Sequence, residues 1–315
     1  MGYSSWSDKD YTSRAVKRKA TTGHSHFGYD ANIKSGSTVA KVHKDLDPNG
    51  VTRESRDSTA HPNSRAVAVF FDETGSMGTI PVVLQKKLAK LMGVLNTKAY
   101  LEDPQVLFAA VGDARSDRAP LQVGQFESGA EMDDDLNKFY LEGNGGGQHT
   151  ESYDLALYFA DRHMVMDCVE KRGDKGYLFI IGDEDIRDVV RKTEVKSVMG
   201  DDLQSDLETA EVVDSLRDKF EVFVIRPTGG WHGNNKQITE HWQKYFPERV
   251  LMMDNPDEIC ELIAAQIGVT EGVVDIDGAV RDVDGGVSVK NALVVSGSTN
   301  TGLVSVGSVE GELDI

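Results

Sequence analysis

The sequence predicts an α/β protein with a mostly parallel central sheet and helices on both faces of it. Short, wholly apolar runs such as Ala66 to Phe71 and Gly176 to Ile181 are typical of strands buried on both faces of a parallel sheet. Longer stretches between such runs carry apolar residues at helical spacing, as at Leu84, Leu88 and Leu91. Strands that alternate with helices form parallel sheets covered by helices, and this alternation defines the predicted fold class.

The predicted elements follow one another through residues 65–268. The apolar runs predict strands at residues 66–71, 105–112, 121–126, 176–181, 220–225 and 250–253. The periodic stretches predict a long helix that begins near residue 80 and further helices at residues 131–141, 151–169, 186–198, 203–219, 236–245 and 256–267. The second and third strands are too close in sequence for a crossover helix, so we expect them to pair antiparallel at one edge.

The two ends of the chain differ from this body. Residues 1–64 form a polar, basic arm, and residues 1–65 carry 11 Lys and Arg against 7 Asp and Glu. We expect this arm to lie outside the α/β core, so that a chain beginning near Asn63 should fold with little loss of stability. Residues 269–315 are acidic and rich in Gly and Val, and alternations such as Val287-Ser288-Val289 predict a small β appendage or a flexible tail.

Composition limits the classes of function. The net charge is -18, with 45 acidic and 23 basic residues after position 65, which argues against nucleic-acid binding except through the arm. No apolar run has the length of a membrane span, and the first residues lack the apolar region of a secretion signal, so we expect a cytoplasmic protein without a membrane partner. Cys168 and Cys260 lie in helical patterns and are expected to be reduced core cysteines.

The loop after the first predicted strand carries the chemistry. It reads Asp72-Glu73-Thr74-Gly75-Ser76 and lies at the carboxyl end of a strand, where open α/β sheets bind ligands. One carboxylate and two hydroxyls are hard oxygen donors that suit a divalent ion such as Mg²⁺. The alternative is a plain strand-to-helix turn in which Asp72 caps the following helix.

This loop resembles the Asp-x-Ser-x-Ser signature of von Willebrand factor A domains, with Thr74 in the first Ser position. That family carries a metal-ion-dependent adhesion site with two further ligands downstream. Thr150 lies in a glycine-rich loop before a helix, and Asp183 follows a later buried strand, in the order the family has. The resemblance covers residues 65–268, implies a Rossmann-like fold, and points to the intracellular bacterial or phage members.

The resemblance also implies a role for each ligand. Thr74 and Ser76 would bind the metal through their hydroxyls, and Thr74 keeps that hydroxyl while adding a methyl group. Thr150 would bind directly in the active arrangement, while Asp72 and Asp183 would hold the ion largely through water. The expected metal is Mg²⁺, with Mn²⁺ or Ca²⁺ as alternatives, and a carboxylate of a protein partner would complete its coordination.

The surroundings of this predicted site are more acidic than the family pattern. Glu184 stands where the family commonly has Gly, and together with Glu73 and Asp185 it predicts an acidic rim. Such a rim would attract the metal and repel an acidic partner, so we expect Glu73 and Glu184 to bear on partner binding. Trp231, in the glycine-rich stretch 228–235, is predicted either to anchor a partner or to fold back onto the body.

These features predict a metal-dependent protein–protein interaction module rather than an enzyme. The resemblance allows an adaptor or chaperone role beside a MoxR-type AAA+ ATPase. One alternative is a Mg²⁺-dependent haloacid-dehalogenase-like phosphatase, because Asp183 followed by Asp188 is similar to that family's last motif. Thr74 stands where such an enzyme needs its general acid, which disfavours it. The other alternative is a structural assembly protein whose metal site is vestigial.

Overall fold

The computed structural model describes residues 7–24, 27–73, 77, 80–143 and 150–293. The strands are β1 (Arg53–Ser55), β2 (Arg65–Asp72), β3 (Pro104–Val111), β4 (Leu121–Val123), β5 (Met164–Met166), β6 (Gly176–Ile181), β7 (Val189–Val190), β8 (Leu207–Glu208), β9 (Phe220–Pro227) and β10 (Val250–Met253). Within the described residues, six of them form the central sheet in the spatial order β10-β9-β6-β2-β3-β4. All neighbours in this sheet are parallel except β3 and β4, which pair antiparallel at the edge.

The helices are α1 (Asp8–Thr22), α2 (Gly28–Lys34), α3 (Ile80–Thr97), α4 (Met132–Leu136), α5 (Tyr153–His163), α6 (Lys192–Met199), α7 (Thr209–Arg217), α8 (Lys236–Tyr245), α9 (Ile259–Thr270), α10 (Ile276–Asp282) and α11 (Val287–Ala292). Short π and 3₁₀ segments lie at Cys168–Arg172 and Pro256–Glu258. The helices that follow the central strands cover both faces of the sheet. The predicted fold class, a mostly parallel sheet with one antiparallel edge strand and helices on both faces, is confirmed.

Strand β2 shows how the sheet separates two apolar layers. Val67, Val69 and Phe71 pack with α3 and α9 on one face, whereas Ala68 and Phe70 pack with α5 and α7 on the other. Successive side chains of a strand point to opposite faces, so a strand covered on both sides has to be apolar throughout. All five of these side chains are fully buried, as the unbroken apolar run predicts.

The strand order reverses beside β2. From β2 the chain moves outward to β3 and β4, then returns to add β6, β9 and β10 on the other side. The crevice between the carboxyl ends of β2 and β6 is therefore the topological switch point of the sheet. In open α/β sheets, this is where the connecting loops part and ligands bind.

The N-terminal segment packs on the body, contrary to the expectation of an arm outside the core. Tyr11 and Phe27 are buried in the same apolar layer as α3 and α9, and Leu46 is fully buried there too. Strand β1 pairs in parallel with β5. The expected mild effect of starting the chain near Asn63 is not supported by this packing, although the division into domains stays a prediction. A few apolar anchors in a polar helix leave little periodicity, which is why the sequence pattern missed them.

The described C-terminal residues are helical where β-hairpins were predicted. Helices α10 and α11 occupy this region, and the carboxylate of Asp275 caps α10 by accepting a hydrogen bond from the amide of Gly278 at 2.7 Å. In α11, Val289 and Ala292 are buried while Val287 is exposed. This three-residue spacing is that of a helix face and explains why a two-residue alternation misled the prediction. Residues 294–315 lie outside the described part of the chain.

Four predicted helices also differ in extent. The helix predicted over residues 131–141 is the shorter α4, and the one predicted over residues 151–169 ends at His163, just before β5. Those predicted over residues 186–198 and 203–219 are replaced by a short strand and a shorter helix, β7 with α6 and β8 with α7. Asp133, in the first turn of α4, is fully buried. It forms an ion pair with Arg18 at 2.7 Å and accepts a hydrogen bond from Gln85 at 2.8 Å.

Candidate functional site

Two buried aspartates stand at the switch point of the sheet. Asp72 ends β2 and Asp183 follows β6, and both side chains are fully buried. Phe71 and Ile181 are paired on adjacent parallel strands, so the chain delivers the two carboxylates to the same edge of the sheet. The hydroxyl of Tyr153, at the start of α5, donates a hydrogen bond to Asp72 Oδ2 at 2.9 Å.

The backbone at Thr150 lies against the loop that follows β6. Thr150 forms an isolated parallel bridge with Asp185, and the amide of Glu151 donates to the carbonyl of Asp185 at 3.2 Å. Thr150 therefore reaches the edge that carries Asp183. Of the five predicted metal ligands, the structure describes Asp72, Thr150 and Asp183, which it gathers at this edge, whereas Thr74 and Ser76 lie outside the described residues.

Two buried glutamates join this edge. Glu151, which the sequence analysis did not single out, is only 1% exposed, and Glu184 is 7% exposed. Burial, and after it the nearby Asp72 carboxylate, raise the pKa of both glutamates, and a side-chain hydrogen bond links Glu184 to Glu151. In each of them, the buried Oε2 has no hydrogen-bond partner among the described residues. The signal that could have found Glu151 is its position directly after Thr150.

The predicted acidic rim is not a solvated surface. Glu73 is 4% exposed, and together with Glu184 it points into the protein. Glu73 Oε2 accepts a hydrogen bond from Gln122 at 2.6 Å, while its Oε1 has no hydrogen-bond partner in the described part of the chain. Burial raises the pKa of Glu73 well above its usual value, and Asp117 and Glu142 add to the shift. Glu73 and Glu184 are therefore part of the buried interior of the site, and they do not form an exposed partner surface.

A buried arginine that the sequence analysis missed braces the Thr150 loop. Arg187 donates to Ser152 Oγ and to Asp113 Oδ1, each at 2.7 Å, and to the carbonyl of Thr150 at 3.3 Å. It joins the loops that follow β3 and β6 to the start of α5. No local pattern indicates this role, because its partners lie between 35 and 74 residues away.

Trp231 is the most exposed aromatic side chain of the described residues, at 88%. The alternative, that it folds back beside Trp242, is wrong. Trp242 is buried and packs edge-on against Tyr153 with ring centroids 5.2 Å apart, and its indole donates to the carbonyl of Glu184 at 3.0 Å. The two tryptophans thus have separate roles, since Trp242 supports the floor of the site and Trp231 stands in solvent.

The donors at this edge can be tested against a divalent cation. Glu73, Glu151 and Glu184 each have a buried carboxyl oxygen without a hydrogen-bond partner among the described residues, and their raised pKa values favour the protonated, neutral forms. A bound cation would favour the ionised forms instead. However, no three Asp, Glu, His or Cys side chains within the described residues lie close enough together to hold a metal ion by themselves. The set therefore fits a site completed by hydroxyls and water rather than a cage of carboxylates. In such a site Asp72, Thr150 and Asp183 would hold the ion.

The length and hydrophobicity of the described helices show whether any of them could span a membrane. Among the helices of residues 7–24, 27–73, 80–143 and 150–293, none is long and apolar enough to cross a membrane.

Comparisons with known proteins find likeness in structure only. No family model matches the sequence, and no curated protein matches it. The similar solved structures include a von Willebrand factor type A protein from Catenulispora acidiphila, at 12% identity and a TM-score of 0.40, over 74% of this chain and 52% of that one. An aerotolerance-related membrane protein from Bacteroides fragilis, crystallised with multiple mutations to serines, matches at 14% identity and a TM-score of 0.38, over 64% of this chain and 98% of that one.

A third match is the pilus adhesin SpaC from Lactobacillus rhamnosus GG in an open conformation, at 9% identity and a TM-score of 0.44. It involves 70% of this chain, which spans about a third (31%) of the adhesin's length. With TM-scores below 0.5, these likenesses establish neither the family nor the function of the chain.

Proposed function

We propose that this protein is a metal-dependent protein-interaction module whose cation site lies at the switch point between β2 and β6. The observation that carries the proposal is the meeting of Asp72, Thr150 and Asp183 at one edge of the sheet. Thr74 and Ser76 would supply the hydroxyls that complete the ligand set. The bound ion, most suitably Mg²⁺, would supply an electrophilic centre for an oxygen atom of the partner.

The role is one of binding rather than catalysis. The buried acids at the edge are held by structural contacts, such as the Tyr153 hydroxyl on Asp72 and the Gln122 amide on Glu73. The protein partner is proposed to be part of a cytoplasmic assembly, with a MoxR-type AAA+ ATPase as the candidate class.

Titration calorimetry with Mg²⁺ tests the metal site. We expect one binding event on the wild-type chain and none on the double variant Asp72→Ala, Ser76→Ala, whose far-ultraviolet circular dichroism should stay unchanged. Asp254→Ala is a matched control, because this exposed acid follows β10 at the same edge of the sheet but two strands away from β6. Equal Mg²⁺ affinity in the double variant and the wild type would refute the site.

Partner binding needs a second design, because AAA+ ATPases themselves require Mg²⁺ and chelation would disable both proteins. The affinity of the chain for a purified MoxR-type ATPase should therefore be measured at constant Mg²⁺, comparing the wild type with Asp72→Ala. We expect binding to the wild type and at least tenfold weaker binding to the variant. Equal affinities would mean that the metal site does not serve this partner.

A further inference from the structure

The exposed Trp231 belongs to an ordered loop between β9 and α8, residues 228–235, which we call the Trp231 loop. The side-chain amide of Asn234 donates to the carbonyl of Thr228 at 2.9 Å, closing the loop on itself. The amide of Thr228 donates to the carbonyl of Met253 at 2.9 Å, which fixes the start of the loop to β10. The loop thus has a defined backbone that presents one large aromatic side chain to solvent.

A buried guanidinium fastens this loop to the candidate metal site. Arg226, near the end of β9, is fully buried, and it donates to the carbonyls of Asp183 at 2.8 Å, His232 at 2.6 Å and Asn235 at 3.2 Å. It also donates to the hydroxyl of Thr239. Burying a cation is costly, and these four acceptors are neutral oxygens rather than carboxylates. The arrangement uses the five-donor fork of arginine to hold two loops in one relative position.

The carboxylate of Asp183 touches the same loop directly. Its Oδ2 accepts a hydrogen bond from the amide of His232 at 2.9 Å. A Cβ atom at Gly230 would lie 2.4 Å from that oxygen, so only glycine allows the backbone to come this close. At Gly229, a Cβ atom would meet nothing within 4 Å. The two neighbours of Trp231 in the chain, Gly230 and His232, therefore both pack against the carboxylate of Asp183.

We propose that Arg226 and Gly230 couple the cation site to the Trp231 loop, so that cation binding at Asp183 changes the surroundings of Trp231. This rests on the proposed function. A cation that engages Asp183 fixes the orientation of its carboxylate, and the amide of His232 follows that orientation because it donates to the same group. Arg226 and Gly230 act as positioning residues, since they reach the site only through Asp183.

The experiment titrates the full chain with Mg²⁺ alone and follows tryptophan fluorescence and heat in parallel. We expect a change in wild-type emission that saturates with the calorimetric binding curve. The Trp231 signal is the difference between the emission changes of the wild type and Trp231→Phe, because Trp242 lies at the site and also contributes to the emission. Trp231→Phe should keep the Mg²⁺ affinity within about twofold, because the Trp231 side chain stands in solvent. Gly230→Ala should weaken Mg²⁺ binding at least tenfold, whereas Gly229→Ala is the matched control and should bind within about twofold of wild type.

Arg226→Lys and Arg226→Gln add a second readout. The lysine variant keeps the charge but loses the fork, and we expect both variants to bind Mg²⁺ at least tenfold more weakly and to lose the emission change. If they fail to fold, the Gly230 and Gly229 pair decides the matter alone. Mg²⁺ heat without any Trp231 signal, or equal affinities in Gly230→Ala and Gly229→Ala, would overturn the coupling and leave the metal site standing. Absence of Mg²⁺ heat in the wild type would overturn both.

Discussion

Acidic side chains have opposite surroundings in two regions of this molecule. Where the N-terminal segment meets the body, they are neutralised by cations, as the fully buried Asp133 is by Arg18 at 2.7 Å and the half-buried Asp57 is by Arg172 at 2.9 Å. At the carboxyl edge of the sheet, Glu151 and Glu184 are buried, and each has an oxygen without a hydrogen-bond partner among the described residues. Ion pairs and hydrogen bonds lower the pKa of Asp57 to about 2, whereas burial raises the pKa of Glu151.

This contrast distinguishes acids that stabilise the fold from acids that belong to a candidate site. A buried acid paired with arginine contributes to cohesion, while an unpaired one lowers the stability of the folded chain. Proteins keep such destabilising groups chiefly where they bind ligands or perform chemistry. We therefore expect that selection for function has kept destabilising acids at the carboxyl edge of the sheet.

The largest expected effect concerns Asp154, a fully buried residue at the start of α5 near this edge. Neither of its carboxylate oxygens has a hydrogen-bond partner in the described chain, and Arg187 lies 3.9 Å away. Burial raises its pKa to about 7 from an ordinary value of 3.8. Because the folded state binds this proton more tightly than the unfolded state, its contribution to the free energy of unfolding falls as the pH rises from about 4 to about 7, by on the order of 4 kcal/mol.

Urea unfolding of the wild type and Asp154→Asn across this pH range measures the effect. The free energy of the wild type relative to the variant should decline with rising pH. Asp214→Asn, at a position whose side chain is 72% exposed, should track the wild type at every pH. If the difference in unfolding free energy between the wild type and Asp154→Asn does not change with pH, then Asp154 behaves like the paired acids, and the contrast between the two regions does not hold.

The next effect tests the paired region. Arg18→Ala should lower the free energy of unfolding by about 3 kcal/mol, because it leaves the fully buried Asp133 without its cation. Arg14→Ala is the matched control on the same helix, since Arg14 is 36% exposed and pairs with the half-exposed Glu131 and Asp134. It should cost no more than about 1 kcal/mol. Equal losses in the two variants, measured by urea unfolding, would contradict the structural role assigned to the buried pair.

The smallest expected effect is a loss of unfolding free energy as the pH falls, which is opposite in sign to the pH dependence expected for Asp154. Burial alone would raise the pKa of Asp57, but hydrogen bonds from Arg172, Ser64 and Lys171 outweigh it and lower the pKa to about 2. The stabilisation by Asp57 is thus present above pH 4 and lost as the pH falls toward 2. Because solvent screens this network, we expect Asp57→Asn to cost only about 1 kcal/mol at pH 7 and almost nothing near pH 2.

Asp174→Asn provides the comparison for this measurement, because Asp174 is 51% exposed and lies 4.0 Å from Arg172. Its unfolding free energy should match that of the wild type at both pH values. A loss for Asp57→Asn that grows as the pH falls would contradict the expected sign.

The candidate site was predictable in part, for a physical reason that differs from residue to residue. Asp72 ends one apolar strand and Asp183 comes two residues after another. Parallel strands bring their carboxyl ends to one edge, so position along the chain predicts position in space. Glu73 and Glu184 are neighbours of these residues, yet their burial depends on what packs above the edge. Arg187 and Arg226 carried no sequence signal, because each acts through hydrogen bonds to distant loops.

The sequence by itself determined the fold class, since unbroken apolar strands and periodic helices allow few arrangements other than a parallel sheet covered on both faces. Tertiary structure alone decided the ends of the chain. Helix α1 has too few apolar residues, and α11 too few residues, for a helical period to be recognised, and their buried side chains Tyr11 and Val289 find their packing partners only in the completed core. It also decided which acids are paired, because the pKa of a carboxyl group depends on the burial and the charges that distant segments bring to it.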